Sequence, residues 1–316
     1  MTDHERIDVH THLVPPFWGE ALAQHGGDPS GWTLPPWTPD DHLKFMDANG
    51  IVTSVLSLTA PGVAGWQGAA RREMARRINE YTAELVRERP DRFGNFATLP
   101  LPDVEGAVAE VDYAFDQLRA DGVVLLSNYD GVYLGDDRYT LLWETLDRRR
   151  AVVFIHPAHP LLPLLPDVPG PLVDYPFDTT RNAVHMVIHG ITERYPNVRI
   201  ILSHAGGFVP YAALRFCQVQ AALEPAGPTA DELLARFRSF YWDTALSSGE
   251  YAFGALARFA DPARILYGSD FPYAPAQVGT RFTEILDTES GLTHEQSRAI
   301  DSGNASALFP RLKIAG

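Results

Sequence analysis

The residues best suited to chemistry stand close to the N-terminus, in Ile7-Asp8-Val9-His10-Thr11-His12. The β-branched content predicts a short strand. Side chains two apart on a strand point the same way, so Asp8, His10 and His12 are expected on one face, with Val9, Thr11 and Leu13 on the other. Two imidazoles about 7 Å apart on one strand face reach a common ion between them. Residues of ligand type recur at the ends of later apolar runs: His156 after AVVFI, His204 after VRIILS and Asp270 after RILYGS. Asn128 ends another such run, and Asp243 lies within FYWDTAL. Three neutral imidazoles and one carboxylate suit Zn2+, with Mn2+ as an acceptable alternative. Such an ion polarises a substrate oxygen or lowers the pKa of a bound water towards about 7. Asp8 is a candidate for orienting a ligand from behind, or a purely structural carboxylate.

For these side chains to converge, the elements carrying them must end at one rim. Periodicity predicts eight short strands, at 6–13, 53–59, 93–99, 122–128, 151–156, 198–204, 240–246 and 264–270. Several are apolar throughout, as strands buried on both faces are. Between them the 3.6-residue pattern predicts helices at 67–89, 102–119, 137–150, 179–195, 209–223, 251–260 and 276–287, and a last one near 293–309. Strand–helix alternation repeated eight times predicts an α/β fold, a (β/α)8 TIM barrel, as one domain over 1–316. Two connections exceed plain barrel loops: 14–40, carrying Trp18, Trp32 and Trp37, and 157–176, rich in leucine and proline. Both are expected over the C-terminal mouth, lining a pocket for an aromatic ligand, with Trp32 and His159, and Asn128 at the rim, as substrate contacts.

Composition narrows the function. The net charge of −14 excludes a nucleic-acid partner, which requires a basic surface. No apolar run is long enough to span a membrane, no secretory leader stands at 1–5, and Cys217 is the only cysteine, so the expected address is cytoplasmic. Lys44 and Lys313 are the only lysines and neither sits in a catalytic setting, which removes Schiff-base chemistry. His185 and His189 are spaced as in the zincin motif, but Met186 stands where that motif needs glutamate, so the pair is read as structural. His4, His25, His42 and His294 have no context that singles them out.

Five stretches in order, IDVHTH, VFIHP, ILSHAGG, YGSDFP and GNAS, resemble the amidohydrolase superfamily. They are most similar to its decarboxylase branch, typified by the 2-amino-3-carboxymuconate 6-semialdehyde decarboxylases. GGDPSGW and SLTAPGV look closer still to the 6-methylsalicylate decarboxylases. The resemblance runs from Arg6 to about Phe309. It implies His10, His12, His156 and Asp270 as metal ligands and His204 as the catalytic histidine that contacts the metal-bound water. It also implies that Arg215, eleven residues beyond His204, reaches a neighbouring subunit's site, which requires a homodimer; a surface or interface arginine is the other reading of Arg215. Where binuclear relatives carry a carboxylated lysine this chain has Asn128, so a single metal is expected. The stretch 31–37, which holds a carboxylate-binding arginine in the muconate enzymes, has none here, and a mono-acid is favoured.

The expected activity is metal-dependent, non-oxidative decarboxylation of a salicylate-like aromatic acid, with proton delivery to the ring carbon by Asp270 or through the water held by His204. The alternatives are a hydrolase of an ester, lactone, amide or C–C bond, or a hydratase, on the same metal site.

Overall fold

The computed structural model describes residues 4–312; Lys313 lies outside them. Eight parallel strands follow one another around a sheet: β1 (Arg6–His12), β2 (Ile51–Ser57), β3 (Phe93–Thr98), β4 (Gly122–Leu126), β5 (Val152–His156), β6 (Arg199–Leu202), β7 (Tyr241–Asp243) and β8 (Ile265–Leu266). Each pairs in parallel with the next. The seam between β8 and β1 is closed by main-chain bonds, Val9 N–H to Tyr267 O at 3.1 Å, Asp270 N–H to His10 O at 2.8 Å and His12 N–H to Phe271 O at 2.7 Å. This is the expected (β/α)8 TIM barrel.

A helix follows every strand: α1 (Pro39–Ala48), α2 (Gly68–Glu88), α3 (Val104–Asp116), α4 (Thr140–Arg148), α5 (Gly170–Ile188), α6 (Val209–Leu223), α7 (Glu250–Phe259) and α8 (Ala276–Glu289). Their apolar faces and the outward strand residues form one buried shell, with Trp18, Trp143, Trp242 and Phe253 among its largest members. Inside the barrel a second apolar cluster, Ile7, Val9, Val55, Phe96, Val124, Val152, Phe154, Ile201 and Leu266, fills the lower half. Ala305, Leu308, Phe309 and Leu312 of the C-terminal segment plug it from below. The interior is therefore packed and apolar at the base, leaving only its upper rim for polar side chains.

Three helices begin where a loop was expected: a short one at Pro16–Leu22 within the 14–40 stretch, α1 and α5. Helix α5 starts at Gly170, nine residues before the expected 179, because Pro171 stands in the first turn, where a missing N–H is harmless. Pro176 lies inside the same helix. Helix α1 lies at the end of the 14–40 stretch and beyond; Thr38 caps it by accepting the Asp41 N–H, and Pro39 opens it. A further helix, Ala230–Arg238, was not anticipated, although Thr229 and Glu232 form the capping box that marks its start.

Candidate metal centre and pocket

Strand β1 does not alternate evenly. Its register with β2 runs Asp8 to Ser54 and then Thr11 to Leu56, three residues against two, so β1 carries a bulge between Asp8 and Thr11. Ile7 and Val9 face the barrel interior, and after the bulge His10 and His12 face it as well. Thr11 turns outward to His42. The expectation that Asp8 shares a face with His10 and His12, and Val9 with Thr11, is corrected by this extra residue. Asp8 faces away from the site and accepts the His10 N–H at 3.1 Å and the Ser269 N–H at 3.1 Å, tying β1 to the loop after β8. Burial pushes its carboxyl up to about 7 against these bonds.

At the upper rim four residues offer ligand atoms that all lie within 4.8 Å of one another: His10 from β1, His156 at the end of β5, His204 just after β6 and Asp270 after β8. Asp270 is the hub. Its Oδ1 lies 3.2 Å from His10 Nε2 and 3.0 Å from His12 Nε2, and its Oδ2 lies 3.4 Å from His204 Nε2. Ligands about 2.1 Å from a tetrahedral ion stand about 3.4 Å apart, so these separations match donors gathered round one cation. His12 belongs to the cluster through Asp270 but falls outside the four-atom set.

The partners of the rings decide which nitrogen is free. His10 Nδ1 is 2.7 Å from Asp243 Oδ2 and His156 Nδ1 is 2.8 Å from Pro157 O, so each Nδ1–H donates to that oxygen and each Nε2 keeps its lone pair, with Thr59 Oγ1 3.2 Å from that of His156. His10 Nε2 is buried without a hydrogen-bond partner, as expected of a nitrogen placed for a metal. His12 Nδ1 pairs with Ser57 Oγ at 3.0 Å. Asp243 also accepts the His204 N–H at 2.8 Å and the Ala245 N–H at 3.0 Å, so one buried carboxylate fixes His10, the His204 backbone and the end of β7 together. His204 and Asp270 themselves sit at φ +52° and +62°, left-handed values held by this framework.

Burial drives His12 and His156 towards their neutral, ligating forms. Burial opposes charge on His10 too, but Asp243 and Asp270 outweigh it and push His10 up to about 10. Burial would raise Asp270, yet the surrounding imidazoles, His10 first, hold it well below the usual carboxylate range. Two buried carboxylates thus call for positive charge at the point where the Nε2 atoms converge. The donor set and this field both fit a divalent cation.

Above the cluster opens a cavity of about 870 Å3. His156, His204 and Asp270 form its floor, and Trp32, Tyr175, Phe208, Tyr273 and Phe282 supply aromatic walls. The 14–40 stretch contributes Asp28 and Trp32, and the start of α5 contributes Pro171, Leu172, Tyr175 and Pro176.

The other expected contacts are placed less centrally. Asn128 does not line the cavity; its amide donates to Asp178 at 2.8 Å and its carbonyl accepts the Gly131 N–H in a two-strand turn. His159 sits behind the wall with a buried, unpartnered Nδ1. Arg215 is exposed on α6, beside Tyr211 and Leu214, which are 88% and 63% exposed. Asp28, Tyr175 and Tyr273 were not singled out as site residues, because nothing in the sequence tells that their segments fold back over the rim. His42, also not singled out, is fully buried and accepts the Trp37 indole N–H at 3.0 Å.

A family model described as amidohydrolase matches residues 7–311. The 6-methylsalicylic acid decarboxylase of Penicillium expansum is 42% identical over 98% of this chain and 97% of its own. The crystal structure of an amidohydrolase II superposes with a TM-score of 0.90 at 34% identity, covering 96% of this chain and 99% of the other. A dihydroxybenzoic acid decarboxylase from Polaromonas, solved with manganese and 2-nitroresorcinol, shares the fold with a TM-score of 0.79 at 24% identity, over 99% and 98% of the two chains.

Proposed function

We propose, for a chain that belongs to the amidohydrolase family and to its decarboxylase branch, that it is a metal-dependent, non-oxidative decarboxylase of salicylate-like acids, with 6-methylsalicylate as the type substrate. The observation that carries this reading is the buried cluster of His10, His156, His204 and Asp270 at the floor of a cavity walled by aromatic rings. A planar aromatic acid fits those walls with its carboxylate turned down towards the cluster.

His10, His12, His156 and Asp270 would hold the ion, with His204 beside the other oxygen of the same carboxylate. Bound there, a divalent cation supplies Lewis-acid charge for the carboxylate and ortho-hydroxyl oxygens of the substrate. Trp32, Tyr175 and Tyr273 hold the ring and exclude water. The pair His204 Nε2 and Asp270 Oδ2, 3.4 Å apart, handles the proton that passes to the carboxyl-bearing ring carbon. A C–H bond forms there as the C–C bond breaks, and carbon dioxide leaves as aromaticity returns. We assign one ion per chain, Zn2+ on the donor chemistry with Mn2+ as the alternative, since manganese is the ion bound in the Polaromonas relative. Asn128 stands where a bridging lysine would have to be, and no lysine of the described residues lines the cavity, which supports a single ion.

We further assign a homodimer in which Arg215 reaches the neighbouring site. Exposed Tyr211, Leu214 and Leu223 on the same helix support a covered face there. Among the described residues no helix is long and apolar enough to cross a membrane; with its one cysteine buried and free, the chain suits the cytoplasm.

The test is carbon dioxide release from 6-methylsalicylate. The expected result is one carbon dioxide per acid consumed, abolished by exhaustive chelation and restored by Zn2+ or Mn2+. No release from any ortho-hydroxybenzoate by the metal-loaded protein would overturn the reading, and turnover of esters or lactones instead would make it a hydrolase.

A further inference from the structure

The stretch GGDPSGW, residues 26–32, takes no part in the metal centre, yet it enters the cavity. Gly26, Gly27 and Gly31 at φ +97°, +67° and +76° allow its tight reversal. Asp28 Oδ1 accepts the Ser30 N–H at 2.8 Å, a turn in which a side chain replaces a backbone carbonyl. Ser30 Oγ in turn accepts the Trp32 N–H at 3.2 Å, and Ser30 also pairs with the Tyr175 hydroxyl. The carboxylate is therefore fixed in direction. Burial pushes the Asp28 carboxyl upward, while the bonds from Ser30 and the nearby His159 ring favour its charged form.

Apart from the residues of the metal cluster, Asp28 is the only charged side chain among those that line this cavity, and no lysine or arginine of the described chain lines it. A carboxylate facing an otherwise apolar chamber repels a second anionic group on the ring, while the substrate's own carboxylate is turned away towards the cluster. We propose that Asp28 is a specificity-determining residue that bars aromatic dicarboxylates and restricts the pocket to mono-acids. This inference rests on the decarboxylase reading for its substrate class, but its test reads binding and needs no turnover.

The measurement is the dissociation constant of benzoate and of isophthalate for the metal-loaded full-length protein, followed by tryptophan fluorescence, since Trp32 lines the cavity. Wild type is expected to prefer benzoate by about tenfold or more, and Asp28→Asn, which keeps the acceptor for Ser30 N–H, to reduce that preference by about tenfold. Asp28→Ser, which also keeps an acceptor without charge, serves if the first variant folds poorly. Equal binding of the two acids by wild type, or a preference unchanged within about twofold in both folded variants, overturns the proposal. A protein that binds benzoate selectively but releases no carbon dioxide from any acid would fail the decarboxylase reading and leave this one standing.

Discussion

Asp243 offers no atom to the proposed ion, yet it holds three groups that surround it: the His10 ring, the His204 amide and the Ala245 amide. Replacing it with asparagine keeps the shape and removes the charge that fixes the His10 tautomer. Asp243→Asn is expected to weaken metal retention by about ten- to a hundredfold, measured by competition with a chelator, while the fold is kept. His42 gives a second prediction. Burial lowers it from 6.5 to about 3, so the folded chain keeps it neutral while the unfolded chain protonates it first as pH falls. Stability from this residue is complete above about pH 6.5 and declines towards pH 3. In urea titrations across that window, His42→Gln should show a shallower loss with acid, the difference approaching about 1.4 kcal/mol per pH unit. Equal slopes would show that His42 is not the group responsible. Neither role was legible in the sequence: Asp243 could be placed on its strand but not against His10, and His42 had no neighbour that singled it out.

The strands were the readable elements. Apolar runs such as VRIIL and AVVFI fix strand positions because nothing else buries such runs on both faces in so few residues. Their C-terminal ends were read long: β5 does end at His156, but β6 stops at Leu202 and β8 at Leu266, so His204 and Asp270 stand in the turns just beyond, where left-handed backbone breaks the ladder. The period of two failed only at β1, since a bulge leaves no mark in the residue types. Helix α5 was read late because Pro171 and Pro176 resemble loop residues, although neither prevents a helix here. The turn after β8 carries its own prediction. A Cβ on Gly268 would come within 2.8 Å of His10 Cβ and 3.2 Å of Asp243 Cβ. Gly268→Ala must therefore displace His10 or the β8 backbone. The expected cost is about 1–3 kcal/mol of stability, with loss of most decarboxylation. A variant with wild-type kcat/KM would show that the strand end yields without moving the imidazole.

At the scale of the whole molecule, the charge of −14 sits on a surface laced with Arg–carboxylate pairs, whereas the mouth of the barrel is rimmed by exposed apolar side chains, among them Leu172, Phe208, Tyr211 and Tyr251. If a second copy covers this rim and lends Arg215 to it, two separately inactive proteins should complement. Arg215→Ala keeps its own metal residues, and Asp270→Asn keeps the arginine. Mixed and allowed to exchange subunits, they are expected to recover about a quarter of wild-type activity, because half the dimers are hybrids with one intact site. Recovery indistinguishable from zero, with hybrids demonstrated by mass, would place Arg215 outside its partner's chemistry.

The bulge in β1 has a consequence for how such a rim can vary. A strand of strict period two that sends Ile7 and Val9 inward would send His10 and His12 out into the helical shell, so the barrel would gain its packed base only by surrendering its imidazoles. One inserted residue shifts the phase midway, and the same seven-residue segment anchors the lower layer while arming the upper one. Shortening the segment by a single residue at this point should therefore leave the lower packing in place but rotate both histidines out of reach of Asp270.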